Sequence, residues 1–480
     1  MENRTLNEFR SAFENNSDFG EKTFTLFGHD ITIVFLDSMT SKSNMGLLVI
    51  KPLLEAGELP EDEGELLDYI EKSVIFAPET RFIEDIEEAK IMFMSGYAVI
   101  FADSDSRMLF VDMKDFEFRS TESPDTEITE FGSRETFVEV LNKNISMMTR
   151  RLKTNNLKFE DVQIGRESHN KAVVCYLENR APQKTVNKIK ELLENADMGN
   201  VMEAGYLKEI LADSNKSIFS TIGMTIRPDI CCSKITEGRV AVLVDGSPEA
   251  LYAPYLMIEH FQTPDDYINR PYFAFFVRML KVFSALISVL LTGIYIALVQ
   301  FNPEVIPSAL LYNIIDSNAA TPFSVTTEAV FMMLLYELMR EAGLRLPKSM
   351  GQSVSIVGSL VIGEAAVSSG IVGAPTVIIA AIAAIASFVI PDLHNQISLL
   401  RIAFIIVGAV SGIYGIAVAC AALLVSICSV KSFGVPIMSP VAPLDAFGMR
   451  DTFYREGWRK LGRRSARIQN MRGSDGADNE

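Results

Sequence analysis

Cysteine is scarce in this chain: five residues in 480, namely Cys175, Cys231, Cys232, Cys420 and Cys428. The number is odd and two lie inside an apolar run, so no disulfide framework is implied and a reducing compartment fits. Histidine is scarcer still. His29, His169, His260 and His394 are scattered, and none stands at metal-ligand spacing from another histidine or a cysteine. There is no P-loop, no GxGxxG after a strand and no GxSxG, so enzymatic chemistry has no foothold and no metal or cofactor is implied. Basic charge is in deficit. A net charge of −17 argues against a nucleic-acid partner, which calls for a basic face. The opening residues, MENRTLNEFRSAFENN, lack the apolar core of a signal peptide, so the N-terminal region is expected to stay on the side where it is made.

What the chain has is apolar length, all of it late. Val282–Gln300 carries no charge and is long enough to cross a bilayer core of about 30 Å. Gln352–Val372, Pro375–Ile390 and Ile402–Val430 follow, with Glu364 their only charged side chain. One such run would suit the buried helix of a soluble core; several packed together read as a membrane domain. Phe323–Met339 is apolar but short, and Glu328 and Glu337 interrupt it; it reads as a weak span or a helix buried among its neighbours. The expected fold is an α/β cytosolic N-terminal region of two subdomains, then an α-helical membrane domain of four to five helices. The expected divisions are 1–153, 154–271 (with the pre-membrane segment), 272–432 and a basic cytosolic tail, 433–480.

Within the first 271 residues, Ile31–Leu36, Ala172–Leu177 and Arg239–Val244 read as strands. Tyr97–Ala102 and Met108–Met113 read as a hairpin across the turn-rich DSDSR. Phe137, Leu141, Ile145, Met148 and Leu152 recur at helical spacing between Ser133 and Leu152. Val186–Glu194 and Tyr206–Leu211 also read as helical, and the polar Thr154–Asn156 could join two subdomains.

Charge sets the expected orientation. Arg270, Arg278 and Lys281 before the first span place the N-terminal region inside, and Phe301–Thr321, without Lys or Arg, suits the outer face. Arg340, Arg345 and Lys348 favour a return inside. Five spans would then put the tail outside, yet it carries Arg450, Arg455, Arg459, Lys460, Arg463, Arg464, Arg467 and Arg472. One segment is therefore expected not to span, either Phe323–Met339 or Pro375–Ile390, leaving four spans and one re-entrant or interfacial helix. The basic tail reads either as a contact for anionic lipid headgroups, with Trp458 at the interface, or as a solvated segment.

Small residues are dense in the apolar runs. Ser355, Ser359 and Gly363 form a small-xxx-small ladder, as do Gly408 and Gly412 with Ser411 and Gly415 beside them. Such ladders let helix backbones approach, within one chain or between copies. Gln352, Ser355, Ser359, Gly363, Ala366 and Gly370 fall near one helical face, small and polar, which could line an aqueous path between subunits. Glu364 lies in the same run and reads as a pore ring, an ion site, or a hydrogen-bonded acid at a helix contact.

Arg340–Val372, REAGLRLPKSMGQSVSIVGSLVIGEAAVSSGIV, resembles the signature block of the GerA family of spore germination receptor A subunits. Glu237–Pro248 (EGRVAVLVDGSP), Phe261–Arg270 (FQTPDDYINR) and Pro436–Pro443 (PIMSPVAP) resemble further blocks, and Ile164–Ser168 and Arg227-Pro228-Asp229 shorter ones. The resemblance implies an integral protein of the spore inner membrane, with its N-terminal region in the cytosol. It implies assembly with a transporter-like B subunit, a lipoprotein C subunit and further copies of itself, and a ligand-gated channel for monovalent cations. A scaffold without its own pore is the alternative; no convincing internal repeat supports a transporter. The family's SPFPT-like stretch is here Ser217–Thr221 (SIFST), and Ile226 replaces the acid that usually precedes Arg-Pro-Asp.

Overall fold

The structure is a computed structural model. It describes residues 4–26, 28–57, 63–102, 105, 107–114, 127, 129–213, 217–346, 363–446 and 448–461.

The first 271 residues build two five-stranded antiparallel sheets. In the first, β1 (Phe19–Leu26), β2 (His29–Leu36), β3 (Thr80–Ile83), β4 (Tyr97–Ala102) and β5 (Met108–Asp112) are ordered β1-β2-β4-β5-β3. In the second, β6 (Leu157–Ile164), β7 (Asn170–Leu177), β8 (Gly223–Thr225), β9 (Val240–Val244) and β10 (Ala250–Ala253) are ordered β6-β7-β9-β10-β8. Strand for strand, the two orders are the same. Each unit is a hairpin, a helical stretch, an edge strand, one helix and a second hairpin.

Both sheets are covered on both faces, which is why central strands such as YAVIFA and VAVLV are apolar without a break. In the first sheet Val99 and Phe101 meet α1 (Arg4–Ala12) and α2 (Ile86–Phe93) through Phe9 and Phe93. Ala98 and Ile100 face Val49, Leu67 and Ile70 on the other side. In the second, Ala241 and Leu243 face α3 (Leu141–Arg151), while Val240, Val242 and Val244 face α4 (Gln183–Glu194) and α5 (Ala204–Leu211). α6 (Pro228–Thr236) joins α3 through Cys231, Cys232 and Ile235. The buried Lys158 ties the units together, donating to the carbonyls of Ala12 (3.2 Å) and Glu14 (2.7 Å).

The expected strands and the Tyr97–Met113 hairpin are present. α3 starts only at Leu141, because the Asn144 side chain bonds both the N–H (2.8 Å) and the carbonyl (2.6 Å) of Val138 and holds the preceding residues out of the helix. Phe137 reaches the same core from that extended stretch.

From Pro271 to Ser429 the described residues are mainly helical: α7 (Pro271–Phe301), α8 (Ser308–Ala319), α9 (Val325–Arg345), a helical piece at 363–368, α10 (Ala374–Phe388) and α11 (His394–Ser429). α8 lies inside the stretch that composition alone reads as an outer loop. Only Ile314 of it is buried, so no strong periodicity announces it. α7 and the stretch Pro391–Ser429 are long and apolar enough to cross a membrane; α10 is a shorter apolar helix.

α11 does not run straight. Thirty-six helical residues would span about 54 Å. Yet Ile390 and Leu393, just before it, share one apolar cluster with Phe219 of the second sheet unit, and just after it Ser432 donates to Thr221 O at 2.6 Å. The chain turns at Gly412, whose φ of 60° and ψ of −154° break the helix into two legs of about 26 Å each. The direction therefore reverses inside what reads in sequence as one apolar run. Both ends of the helical region thus lie beside the second sheet, without requiring Phe323–Met339 or Pro375–Ile390 to be the segment that stops short.

Candidate functional site

Among the described residues, three places join the sheets to the helices. The first is Phe219, 7% exposed, which leaves the second sheet unit and packs into the helical core with Val289, Ala297 and Ile427. The second is Ser432, which accepts the Tyr255 N–H at 3.1 Å while donating to Thr221. Val435 continues this seam against Leu256 and Ile258.

The third is Arg278, near the start of α7 and fully buried. Its Nε donates to Asp266 Oδ2 at 2.9 Å. Its Nη1 donates to Asp451 Oδ1 and O, both at 3.0 Å, and to Thr452 O at 2.7 Å. One guanidinium therefore holds the linker entering the helices, the first helix and the segment leaving them. Tyr267 donates to the same Asp451 at 2.8 Å. Lys281 donates to Phe261 O and Thr263 Oγ1. Arg455 is buried with its Nη2 on Asn269 O at 3.0 Å and its guanidinium over the Trp458 ring. These cations of the linker and tail are engaged with protein.

A second buried acid is Glu259. Burial alone would push its carboxyl up, but Arg239 and Lys234 hold it below its ordinary value. Neighbouring His260, 3.0 Å from the Tyr255 hydroxyl, is pushed down to about 4 by burial. Arg227 donates to the Asp229 carboxylate through Nε (3.0 Å) and Nη2 (2.7 Å), and through Nη1 to the Glu127 carbonyl at 3.4 Å and Thr129 Oγ1 at 2.7 Å, while the Glu127 carboxylate accepts from Thr225 Oγ1 at 2.8 Å. Burial raises the Glu127 carboxyl to about 7.

The helical region has its own polar interior. Arg401 of α11, 1% exposed, donates to Ser288 O (2.8 Å) and Ala383 O (3.3 Å) and lies over the Tyr336 ring. Glu337 takes the Ser398 hydroxyl (2.5 Å) and Arg340 (3.1 Å), with His394 3.6 Å away. At the end remote from the sheets, Glu328 Oε2 accepts the Gly373 N–H and the Thr376 hydroxyl, both at 3.0 Å, fixing the start of α10 to α9.

Of the residues singled out in sequence, Gln352, Ser355 and Ser359 lie outside the described residues. Gly363 is half-buried, Glu364 exposed and Ala366 buried, its carbonyl taking the N–H groups of Ile371 and Val372. This piece ends at Gly370, beside Ala320 and close to the Glu328–Gly373 contact. Gly408 faces Gly293 of α7, and Gly412 abuts the Phe301 ring. Sequence reasoning passed over Arg401, because the uncharged run starts just after it, and over the Asp266–Arg278–Asp451 clasp. The acidic pair in FQTPDDYINR was the available signal for the clasp.

A family model described as Bacillus/Clostridium GerA spore germination protein matches residues 7–467. Spore germination protein KA of Bacillus subtilis (strain 168) is 39% identical over 367 residues, 76% of this chain and 68% of the relative. Spore germination protein GerLA of Bacillus cereus is 33% identical over 457 residues, covering 94% and 92%. YfkQ, an uncharacterized membrane protein of Bacillus subtilis (strain 168), is 32% identical over 486 residues, covering 100% and 93%. The crystal structure of the N-terminal domain of the A subunit of the Bacillus megaterium spore germinant receptor GerK3 aligns with 52% of this chain and 94% of its own, at 24% identity and a TM-score of 0.42.

Proposed function

This chain belongs to the GerA family of spore germination proteins, and on that premise we propose that it is the A subunit of a nutrient germinant receptor in the inner membrane of the bacterial spore. Its sheet units, 1–153 and 154–271, face the cytosol, its helical domain, 272–432, spans the membrane, and 433–480 returns to the cytosolic side. Copies of the chain assemble around the run containing Gln352, Ser355, Ser359, Gly363, Glu364 and Ala366. In that assembly the run lines a path for monovalent cations. A transporter-like B subunit and a lipoprotein C subunit are its partners, and germinant recognition by the B subunit opens the path.

The observation that carries this reading is the junction. A receptor subunit must pass a change at one region to another, and here Phe219, Arg278 and Ser432 grip both ends of the helical domain. At the far end, Glu328 grips the chain where 363–368 gives way to α10. The broad apolar exposure of α10 and α11, including Ile378, Ile385, Ile406, Val410 and Val425, supports a lipid or subunit environment for these helices.

The test is potassium flux from liposomes holding the purified subunit, with and without Ser359→Trp, after oligomer size is confirmed for both. Flux abolished by Ser359→Trp in an oligomer of unchanged size is the expected result. Equal flux from both removes this run from the path. No flux from either points to a scaffold, or to a path that opens only with the partner subunits.

A further inference from the structure

The first half of α7 is built inside out. Between Arg278 and Ser288 every buried side chain is polar: Arg278, Lys281, Ser284 and Ser288, three or four positions apart. The opposite face carries Tyr272, Phe276, Leu280, Phe283 and Ile287, also at helical spacing and all exposed. Phe276 is 60% exposed and Phe283 56%, so these rings are largely bare. A helix that hides its polar face and shows its apolar one suits an apolar surrounding, not water. α7 is also long and apolar enough to cross a membrane.

At its start this stripe meets a groove of about 330 Å³, lined by Pro271, Tyr272, Tyr454, Glu456, Gly457 and Arg459. The groove is open space at Gly457, where an added Cβ would meet nothing within 4 Å. The tail forms one wall by docking on α7 and the linker. The Tyr454 ring meets that of Phe275 edge-on at 6.3 Å, and Trp458 Nε1 donates to Tyr267 O at 3.0 Å. Arg459 is exposed and, among the described residues, has no ion-pair partner.

We propose that this groove holds the headgroup of one phospholipid, its phosphate on Arg459 and an acyl chain along Phe276, Leu280, Phe283 and Ile287. Arginine and phosphate form strong charge-assisted hydrogen bonds. Tyr272, Tyr454 and Trp458 have the polar-tipped rings that settle at headgroup depth. Glu456 shares the lining, so a phosphodiester with one negative charge suits the groove better than a multiply phosphorylated headgroup. The lipid holds residues 454–459 against the start of α7, next to the Arg278 clasp. The inference rests on α7 crossing the membrane and not on conduction through 352–366, so its test needs no flux.

The probe is Trp458, the only tryptophan in the chain. The full chain in detergent is titrated with phosphatidylglycerol brominated on its acyl chains, and quenching of Trp458 is followed. Saturable quenching is expected, reversed by unbrominated phosphatidylglycerol but not by the matching diacylglycerol or by glycerol phosphate. Arg459→Gln should weaken the apparent affinity about tenfold, the loss expected with one charged hydrogen bond. Both Arg459 and Trp458 are exposed, so this change removes no core packing. Quenching that rises in proportion to the lipid in the micelle without saturating overturns the proposal, as does unchanged affinity in Arg459→Gln. Reversal by diacylglycerol overturns it by removing the phosphate, and reversal by glycerol phosphate by removing the chains. Disulfide-linked dimers formed by Phe276→Cys and absent from the wild type would give the stripe to a second copy, which also overturns it.

Discussion

Gly293 and Gly408 face each other across α7 and the first leg of α11 with no room for a side chain between them. A Cβ on Gly408 would lie 2.5 Å from the Gly293 carbonyl oxygen, and one on Gly293 would lie 2.6 Å from the Phe404 carbonyl oxygen. The obstacle is backbone on both sides, so rotamer changes give no relief. Small residues at such a crossing let helices pack at backbone distance.

Gly293→Ala and Gly408→Ala should therefore each destabilise the chain by about 1–3 kcal/mol, the usual cost of overpacking. Because both substitutions wedge the same contact apart, the double variant should lose less than the sum of the two. Thermal midpoints of the single and double variants in detergent check this; strict additivity would mean that the two glycines do not share a contact.

Removing Arg278 should cost more. Arg278→Ala removes the direct ion-pair partner of the buried Asp266 carboxylate, a change worth about 3–5 kcal/mol. Arg278→Lys should not restore stability, since one ammonium cannot reach Asp266, Asp451 and Thr452 in the same fork. A double-mutant cycle with Asp266→Asn reads the coupling directly. Limited proteolysis should show the segment around Asp451 released in Arg278→Ala and protected in the wild type.

Two buried groups in the sheet units should respond to pH in opposite directions. Burial raises the Asp18 carboxyl from 3.8 to about 7, against the pull of two hydrogen bonds from Ser38. The folded state then binds more protons than the unfolded one between those values, so this group's contribution falls as pH rises from about 4 to about 7. His260 titrates near 4 when folded against 6.5 when free, so its contribution rises over pH 4 to 6.5. The midpoint of Asp18→Asn relative to wild type should climb from pH 4 to 7 and then level off. That of His260→Gln relative to wild type should fall between pH 4 and 6.5.

Gly412 carries the reversal of α11. Its φ of +60° with ψ of −154° lies where side-chain-bearing residues rarely go, so Gly412→Ala should cost about 1–3 kcal/mol. The reversal also sets the tail's side. A cysteine introduced at Glu456, labelled in vesicles with an impermeant maleimide, should share the protection of one introduced at Glu8. Opposite accessibility would mean that the two legs do not both cross.

Much of the chain is legible before folding. Apolar runs such as ITIVFL and RVAVLV become strands because β-branched residues suit a sheet covered on both faces. The late uncharged runs become helices for want of any other way to satisfy their backbone. The likeness of the two sheets was not legible. Strand order is a pattern of long-range pairings, and different side chains carry it in each unit. Nor was α8, whose partners lie far away in the chain and whose own stripe is weak.

The same division runs through the candidate sites. Residue type and spacing by themselves determined where the long apolar runs of the second half lie and that Gln352, Ser355, Ser359, Gly363, Ala366 and Gly370 recur at helical spacing. They also marked Glu328 as a charge interrupting an apolar stretch, Arg278 as part of the basic flank of the first span and Gly412 as part of a small-residue ladder. Tertiary structure alone decided what each does. Glu328 became a helix anchor because Gly373 stands 45 residues away in sequence and 3.0 Å away in space. Arg278 became a clasp because Asp266 and Asp451 approach it from opposite directions along the chain. Gly412 became a turn because both ends of its run lie beside the same sheet unit, one in the Phe219 cluster and the other at Thr221. Local sequence sets which conformations a residue tolerates; which one it adopts depends on contacts between segments far apart in the chain.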